Sequence, residues 1–324
     1  MSTAELDPVI EALAAGEVVA LPTETVYGLA ARADLPQAVE AIFRAKERPS
    51  DNPLIVHAAD AESALSLGRA VPGYARRLAD RFWPGPLSLV LESAREWPWV
   101  QAGHSTIAVR VPEPRYLREV IRRVGPLAAP SANRSGRPSP TTADHCLQDL
   151  DGRVPLIVDG GHAPGGMEST VVDCTGAEPV ILRPGPVTAE DVQAVVDDGA
   201  AESFEGRGRV TGQAGPGTSA SPGTRHPHYR PRARVVLVDD LKALDRRLAS
   251  PDVAEAMTIG PVLTHARHPR RWDTLQELAR HLYAWFREAD DLGVSVIYVE
   301  RVPDEGLGAA LMNRVTKAAA PADY

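Results

Sequence analysis

Hydrophobic and polar positions divide the chain into two periodic parts separated by a stretch with no period. In the C-terminal part, ARVVLVDD (233–240) is apolar in the manner of a strand, and LKALDRRLAS (241–250) repeats at helical spacing. AMTIGPVLTH (256–265) predicts a second strand. RRWDTLQELARHLYAWFREADD (270–291) predicts a long amphipathic helix with Leu275, Leu278, Leu282, Trp285 and Phe286 on one face. VSVIYVERV (294–302) predicts a third strand, and GLGAALMNRVTKAAA (306–320) a closing helix. Strand–helix alternation predicts a small Rossmann-like α/β domain with a sheet of parallel character. GLG is too short for a dinucleotide fingerprint and is read as a strand-to-helix turn.

The N-terminal part opens with a helix from Asp7 to Ala15, then the strand VVALPT. Further helices are predicted over 36–45, 61–67, 73–81 and 114–124. Prolines such as Pro22, Pro53, Pro112 and Pro130 close apolar runs, the pattern of a mixed sheet whose strands end in rigid loops. Between the two parts lies EGRGRVTGQAGPGTSASPGTRHPHYRPRAR (205–234), with six Gly, four Pro and six Arg against one Glu. That composition predicts a flexible or extended linker. The predicted organisation is therefore 1–204, a linker at 205–234, and 235–324.

Composition narrows the function classes. Lys and Arg number 35 against 43 Asp and Glu, a net charge of −8 over 324 residues, which argues against a surface built to wrap nucleic acid. No apolar run approaches the ~18 residues of a membrane span. The N-terminus is acidic and amphipathic, unlike a secretory or transit signal. Cys146 and Cys174 cannot make a disulfide framework, and no Cys/His cluster has zinc spacing. His226 and His228 form an isolated pair in the linker with no further ligand nearby. A cytoplasmic globular protein is expected.

Polar loops after apolar strands carry the candidate chemistry. Arg110, inside IAVRV, shares a strand face with Ala108 and opposes Val109 and Val111. A guanidinium there needs an anion, either an internal carboxylate or a ligand carboxylate or phosphate held as a fork. Lys46 and Arg48 flank a turn before Pro49 and can act together as a polyphosphate clamp. The Ser, Thr and Asn residues of 23–25, 105–106, 131–133 and 139–141 offer neutral donors to phosphate oxygens. GGHAPGGMEST (160–170) is a candidate anion nest without the lysine of a P-loop. No GxSxG elbow occurs. These residues point to a cationic, hydroxyl-rich pocket for a small anionic ligand such as a nucleotide.

Nine segments in order extend this reading: LPTETVYGLAA (21–31), KERPSDNPLIVH (46–57), FWPGPLSLVL (82–91), STIAVRVP (105–112), APSANRSGRPSPTTA (129–143), ESTVVD (168–173), LRPG (182–185), SPGTRHPHYRP (221–231) and GLGAALMNRVTKAA (306–319). Together the chain resembles the threonylcarbamoyl-AMP synthases in their two-domain form. The resemblance implies a YrdC-like twisted mixed sheet with flanking helices, followed by the small α/β domain. Thr224 stands where that form usually has Met.

The implied reaction joins L-threonine, bicarbonate and ATP into threonylcarbamoyl-AMP and pyrophosphate, for the threonylcarbamoyl-adenosine of tRNA beside the anticodon. By the same resemblance, L-threonine is expected at Thr25, His57, Arg110, Ser131 and Ser169. ATP is expected at Arg48, Asn52, Thr106, Asn133, Thr141, Arg183 and Tyr229, the last acting as a lid carried by the linker. Lys46, Arg48 and Arg183 would neutralise the leaving pyrophosphate, with Mg²⁺ bound mainly through the phosphates and no protein metal site. Downstream tRNA threonylcarbamoyl-transfer proteins are the implied partners. The competing reading is an RNA-binding module that uses the cationic cleft without adenylate synthesis; the net charge and the lack of aromatic–basic interleaving weigh against it.

Overall fold

The computed structural model describes residues 3–202, 211–212, 229–248, 256–262 and 264–320. Its strands are β1 (Val19–Leu21), β2 (Gly28–Arg32), β3 (Ile55–His57), β4 (Leu87–Glu92), β5 (Thr106–Arg110), β6 (Leu127–Ala128), β7 (Leu156–Ile157), β8 (Thr170–Asp173), β9 (Val180–Arg183) and β10 (Thr211–Gly212), then β11 (Arg234–Val238), β12 (Met257–Gly260), β13 (His268–Arg271) and β14 (Val296–Glu300). The first ten form one sheet in the order β10-β9-β8-β4-β5-β3-β6-β2-β1-β7. It is mixed: β3/β5 and β4/β8 are parallel, β4/β5 and β8/β9 antiparallel.

Alternation along β3 and β5 gives this sheet two different faces. Val56, Ile107, Val109 and Val111 enter the main core, while Ile55 and Ala108 form a small apolar patch with Val90 and Val171 on the other face. His57 and Arg110 share that second face and are direct register partners. Helices Thr3–Ala14 and Arg115–Val124 cover another part of the sheet, burying Leu6, Val9, Leu13, Leu117, Val120, Ile121 and Val124 with Leu21, Ala30 and Leu127. Leu117, Val120, Ile121 and Val124 recur at helical spacing, so this helix turns one stripe inward while its arginines stay outside.

The C-terminal strands make a four-stranded, all-parallel sheet, β11-β14-β12-β13. Its helix Leu275–Asp291 starts five residues later than the periodicity suggested, because Arg270 and Arg271 belong to β13. A strand written HPRR carries no apolar alternation, so hydropathy alone hides it; at a sheet edge, charge is tolerated and discourages further pairing. Thr274 caps the helix by accepting from the Glu277 amide at 3.2 Å. Thr211–Gly212, inside the expected linker, adds an edge strand beside β9. Most of the linker, with His226 and His228, lies outside the described residues.

The two sheets are joined by buried ion pairs. Arg287, 2% exposed, donates to Asp149 at 2.8 Å and to the Pro138 carbonyl at 2.5 Å. Val26 and Met167 insert into the C-terminal core. Gly166 (φ +66°) lies against that long helix so closely that a Cβ would sit 2.5 Å from backbone atoms of Ala279 and Arg280, and a Cβ at Gly165 would sit 2.7 Å from the Glu24 carbonyl. The Gly-rich loop expected as an anion nest is therefore a close-packing joint.

Removing Arg287 leaves Asp149 buried with one cation, Arg137, in place of two. Arg287→Met is expected to lower stability by about 1–3 kcal/mol in urea unfolding, and Arg287→Met with Asp149→Asn and Arg137→Met by less. Equal losses in the two variants would show that the pair does not hold the halves together.

Candidate active site

On the second face of the sheet the loops enclose a cavity of about 70 Å³. Its wall includes Thr25, Arg48, His57, Arg110, Ser131, Asn133, Ser169, Arg183 and Tyr229, nine of the residues singled out from the sequence. Lys46, Asn52, Thr106 and Thr141 do not line it.

Arg110 is 4% exposed, and four of its five N–H groups are engaged. Nε donates to the Gly85 carbonyl at 3.1 Å, Nη1 and Nη2 to Thr25 Oγ1 at 3.2 Å each, and Nη2 to Glu24 Oε1 at 2.6 Å. The internal carboxylate is thus Glu24, a residue the sequence did not single out. One N–H of Nη1 remains for a ligand. Thr23 gives its hydroxyl to the Val26 carbonyl at 2.6 Å, so Thr25 must donate to Thr23 (2.8 Å) and present its lone pairs to Arg110. Beside Arg110, His57 is 4% exposed with Nδ1 unpartnered among the described residues. Burial first, and the neighbouring Arg110 second, push its pKa down to about 3, so the ring is neutral.

The cations separate into two kinds. Arg183 holds the Ser169 carbonyl (Nε 3.1 Å, Nη2 2.9 Å) and its hydroxyl (3.1 Å), and Arg48 donates to the Asn52 and Pro53 carbonyls at 3.4 and 3.1 Å. Neither makes a direct ion pair with a carboxylate among the described residues, though Asp51 and Glu168 act on them through space. Burial and then Arg183 lower Arg48 to about 10. Lys46, by contrast, turns inward. A left-handed residue, Glu47 (φ 52°), reverses the chain after it, and its ammonium donates to the Ser131 and Asn133 carbonyls at 2.5 and 2.6 Å. The two-cation clamp expected of Lys46 and Arg48 is split: Arg48 faces the cavity, and Lys46 holds the loop behind it.

Three other expected residues lie outside the wall. Thr106 shares a face with Arg110 but sits four residues along β5, about 13 Å away. Thr141 is buried against His145, Oγ1 to Nδ1 3.2 Å. Asn52 is buried with its Nδ2 unpartnered among the described residues.

Glu168 is the hub joining the cavity to the C-terminal sheet. It accepts from Ser139 Oγ at 2.5 Å, Tyr283 OH at 3.0 Å and Arg314 Nε at 3.0 Å. Burial alone would raise its pKa, but Arg314, then Arg183 and the Ser139 hydroxyl, hold it at about 2. Tyr229 stacks on Tyr283 (5.4 Å, 25°), lies 5.4 Å from the Arg314 guanidinium carbon and has the Arg183 charge close by. The next residue, Arg230, donates its amide to the Gly136 carbonyl at 2.8 Å, tying this stretch to the 131–141 loop. The residues before Tyr229 that would complete a lid lie outside the described residues. Glu168, Tyr283 and Arg314 were missed because residues 115 and 146 apart meet only in the fold. A usable signal was present for Arg314: it interrupts the apolar face made by Leu311, Val315 and Ala318.

Residues 11–185 match the Sua5–YciO–YrdC family model, described as Telomere recombination, and residues 187–320 match the model described as Threonylcarbamoyl-AMP synthase, C-terminal domain. The threonylcarbamoyl-AMP synthase of Pyrococcus abyssi is 41% identical over 94% of this chain and 90% of its own length. The chain belongs to the threonylcarbamoyl-AMP synthase family. The Bacillus subtilis threonylcarbamoyl-AMP synthase is 40% identical over 97% of this chain and 93% of its own. The crystal structure of P. abyssi Sua5 complexed with L-threonine superposes with a TM-score of 0.90 at 38% identity, covering 98% of this chain and 95% of that one. The chain is thus an enzyme of two sheets, and the described wall of its cavity comes from the first half together with Tyr229, which packs into the C-terminal core.

The neutral state of His57 has a measurable consequence. Its folded pKa of about 3 lies below the unfolded 6.5, so its contribution is complete above pH 6.5 and is lost as pH falls toward 3. His145, lowered by burial to about 4, acts in the same direction. Urea unfolding at pH 7, 5.5 and 4 should show stability falling with acid, and His57→Asn should reduce that slope by about 1.4 kcal/mol per pH unit. An unchanged slope would mean that His57 is not held neutral.

Proposed function

We propose that this protein synthesises threonylcarbamoyl-AMP from L-threonine, bicarbonate and ATP, releasing pyrophosphate and water. The observation that carries the assignment is the pairing of Arg48 and Arg183. Two guanidiniums face one cavity without a direct ion pair to a carboxylate among the described residues, while the neighbouring Arg110 and Arg314 each have one. Burying like charges together is unfavourable unless an anion joins them, and a polyphosphate is such an anion. Arg110, with its spare N–H beside the Ser131 and Ser169 hydroxyls, suits the amino-acid carboxylate.

The chain's part in the chemistry is placement and charge neutralisation. Threonine's amine adds to bicarbonate-derived carbon to give a carbamate. A carbamate oxygen then attacks the α-phosphorus, and the α–β bridging oxygen leaves with the pyrophosphate. Arg48 and Arg183 neutralise the departing charge, and the enclosing loops keep the two anionic reactants together. Lys46 acts as a positioning residue through the Ser131 and Asn133 carbonyls. No protein nucleophile enters: both cysteines are buried, and burial pushes Cys146 up to about 12.

Mg²⁺ enters this reading with the nucleotide, through phosphate oxygens. Among the described residues no three His, Cys, Asp or Glu side chains converge as metal ligands, and the cavity's carboxylate, Glu168, is held by Arg314. The product would pass to proteins that transfer the threonylcarbamoyl group to tRNA. Among the described residues no helix is long and apolar enough to cross a membrane.

The test is pyrophosphate release with threonine, bicarbonate or ATP omitted in turn and the adenylate followed by mass spectrometry; release that ignores threonine would refute the assignment. Arg48→Ala and Arg183→Ala should each lower kcat/KM for ATP at least 100-fold. Arg110→Lys should raise the threonine KM about 10- to 100-fold and leave that for ATP within a few-fold. The opposite pattern would exchange the two subsites.

A further inference from the structure

Arg137 lines the reaction cavity beside Arg48 and Arg183, on the same loop as Asn133 and Ser139. The loop fixes its backbone: Asn133 Nδ2 donates to the Arg134 and Arg137 carbonyls at 2.8 Å each, and Gly136 turns the chain at φ +89°. The side chain is tethered at one point only. Nη1 donates to Asp149 Oδ1, the guanidinium makes no other hydrogen bond among the described residues, and 33% of the side chain is exposed. Four of its N–H groups remain for a ligand.

Asp149, in contrast, has more partners than its charge needs. Its carboxylate is buried, and besides Arg137 it accepts from Arg287 Nη2 at 2.8 Å and from the Arg134 amide at 3.3 Å. Arg287 is the fixed partner: it is 2% exposed and also gives Nη2 to the Pro138 carbonyl at 2.5 Å. Two guanidiniums on one carboxylate repel each other, and one is enough to neutralise it. The exposed cation can therefore leave without stranding a buried charge, provided that Arg287 stays.

We propose that Arg137 is a further catalytic cation, kept on Asp149 until the reaction proceeds and then moved to the departing pyrophosphate, while Arg287 of the C-terminal half retains the carboxylate. The inference deepens the function proposed above and rests on it. As the carbamate oxygen bonds to the α-phosphorus, the bond to the α–β bridging oxygen breaks and its electron pair stays on that oxygen. Negative charge thus grows on the pyrophosphate, and the free N–H groups of Arg137 meet it there. Asp149 and Arg287 are positioning residues in this exchange. It gives the buried pair at the junction a task in the reaction as well as in the fold.

The experiment measures threonine-dependent pyrophosphate release at varied ATP in wild type, Arg137→Met, Arg137→Lys, Arg287→Met, and Arg287→Met with Asp149→Asn. Circular dichroism checks folding, and each protein is assayed below its thermal midpoint. Arg137→Met should lower kcat and kcat/KM for ATP together by about 10- to 100-fold, and Arg137→Lys should recover part of that loss. Arg287→Met should fall by a similar factor, because Asp149 then keeps Arg137. Adding Asp149→Asn releases Arg137 and should return kcat to within about threefold of wild type. A merely structural cluster gives the reverse, a double variant no better than Arg287→Met, and that result overturns the exchange. Wild-type kcat in folded Arg137→Met overturns the catalytic role and leaves threonine-dependent synthesis standing. Wild type that releases no pyrophosphate in response to threonine overturns the parent reading and this inference with it. Calorimetric titration supplies a readout without turnover, which also decides the matter if Arg287→Met does not fold. Arg137→Met should bind inorganic pyrophosphate about tenfold more weakly than wild type and AMP equally well; equal pyrophosphate affinity overturns the proposal.

Discussion

A guanidinium taken out of water keeps its charge and must find acceptors for its N–H groups. Arg110, Arg183, Arg287 and Arg314 are all buried, and the architecture around the cavity can be read as the set of solutions to that demand. Glu24 answers Arg110, Asp149 answers Arg287 and Glu168 answers Arg314. Arg183 is given backbone and hydroxyl oxygens instead. The difference is what turns a strained electrostatic arrangement into a site. Where carboxylates are supplied, the cation is structural or shared; where they are withheld, an anion from solution has a place.

Much of the fold was legible because it is local. Strand–helix alternation after residue 233 announced the parallel sheet, and Arg110 in its apolar run announced a buried cation on the correct face. What failed was non-local or against type. β13 escaped notice because HPRR has the polarity of a loop, and only pairing with β12 makes it a strand. Lys46 and Arg48 looked like a pair because two residues separate them, yet the left-handed turn at Glu47 sends them in different directions. The partners of Glu168 were invisible for a different reason. No periodicity links position 168 to positions 283 and 314, and the contact exists once the C-terminal half docks.

The site is also capped on one side. Tyr229 sits 4% exposed with a left-handed backbone (φ 66°), a conformation that a tyrosine adopts only when its surroundings compel it. Stacking on Tyr283 and the Arg314 guanidinium supply that compulsion. A cavity of about 70 Å³ beneath it is too small for a nucleotide and an amino acid together. Tyr229, packed on Tyr283 and Arg314, makes the C-terminal half part of the cavity wall rather than an appendage.

The polarity of the junction has a further consequence. Across it the first half presents acids, Glu168 and Asp149, and the second presents bases, Arg314 and Arg287, every one of them shielded from water. Were the chain divided in the linker, each fragment would carry a matched set of opposite charges on a newly bared surface. The fragments would attract one another in dilute salt and let go as salt rises. With the second half absent, Glu168 would meet water in place of Arg314, while Asp149 would keep Arg137 from its own half.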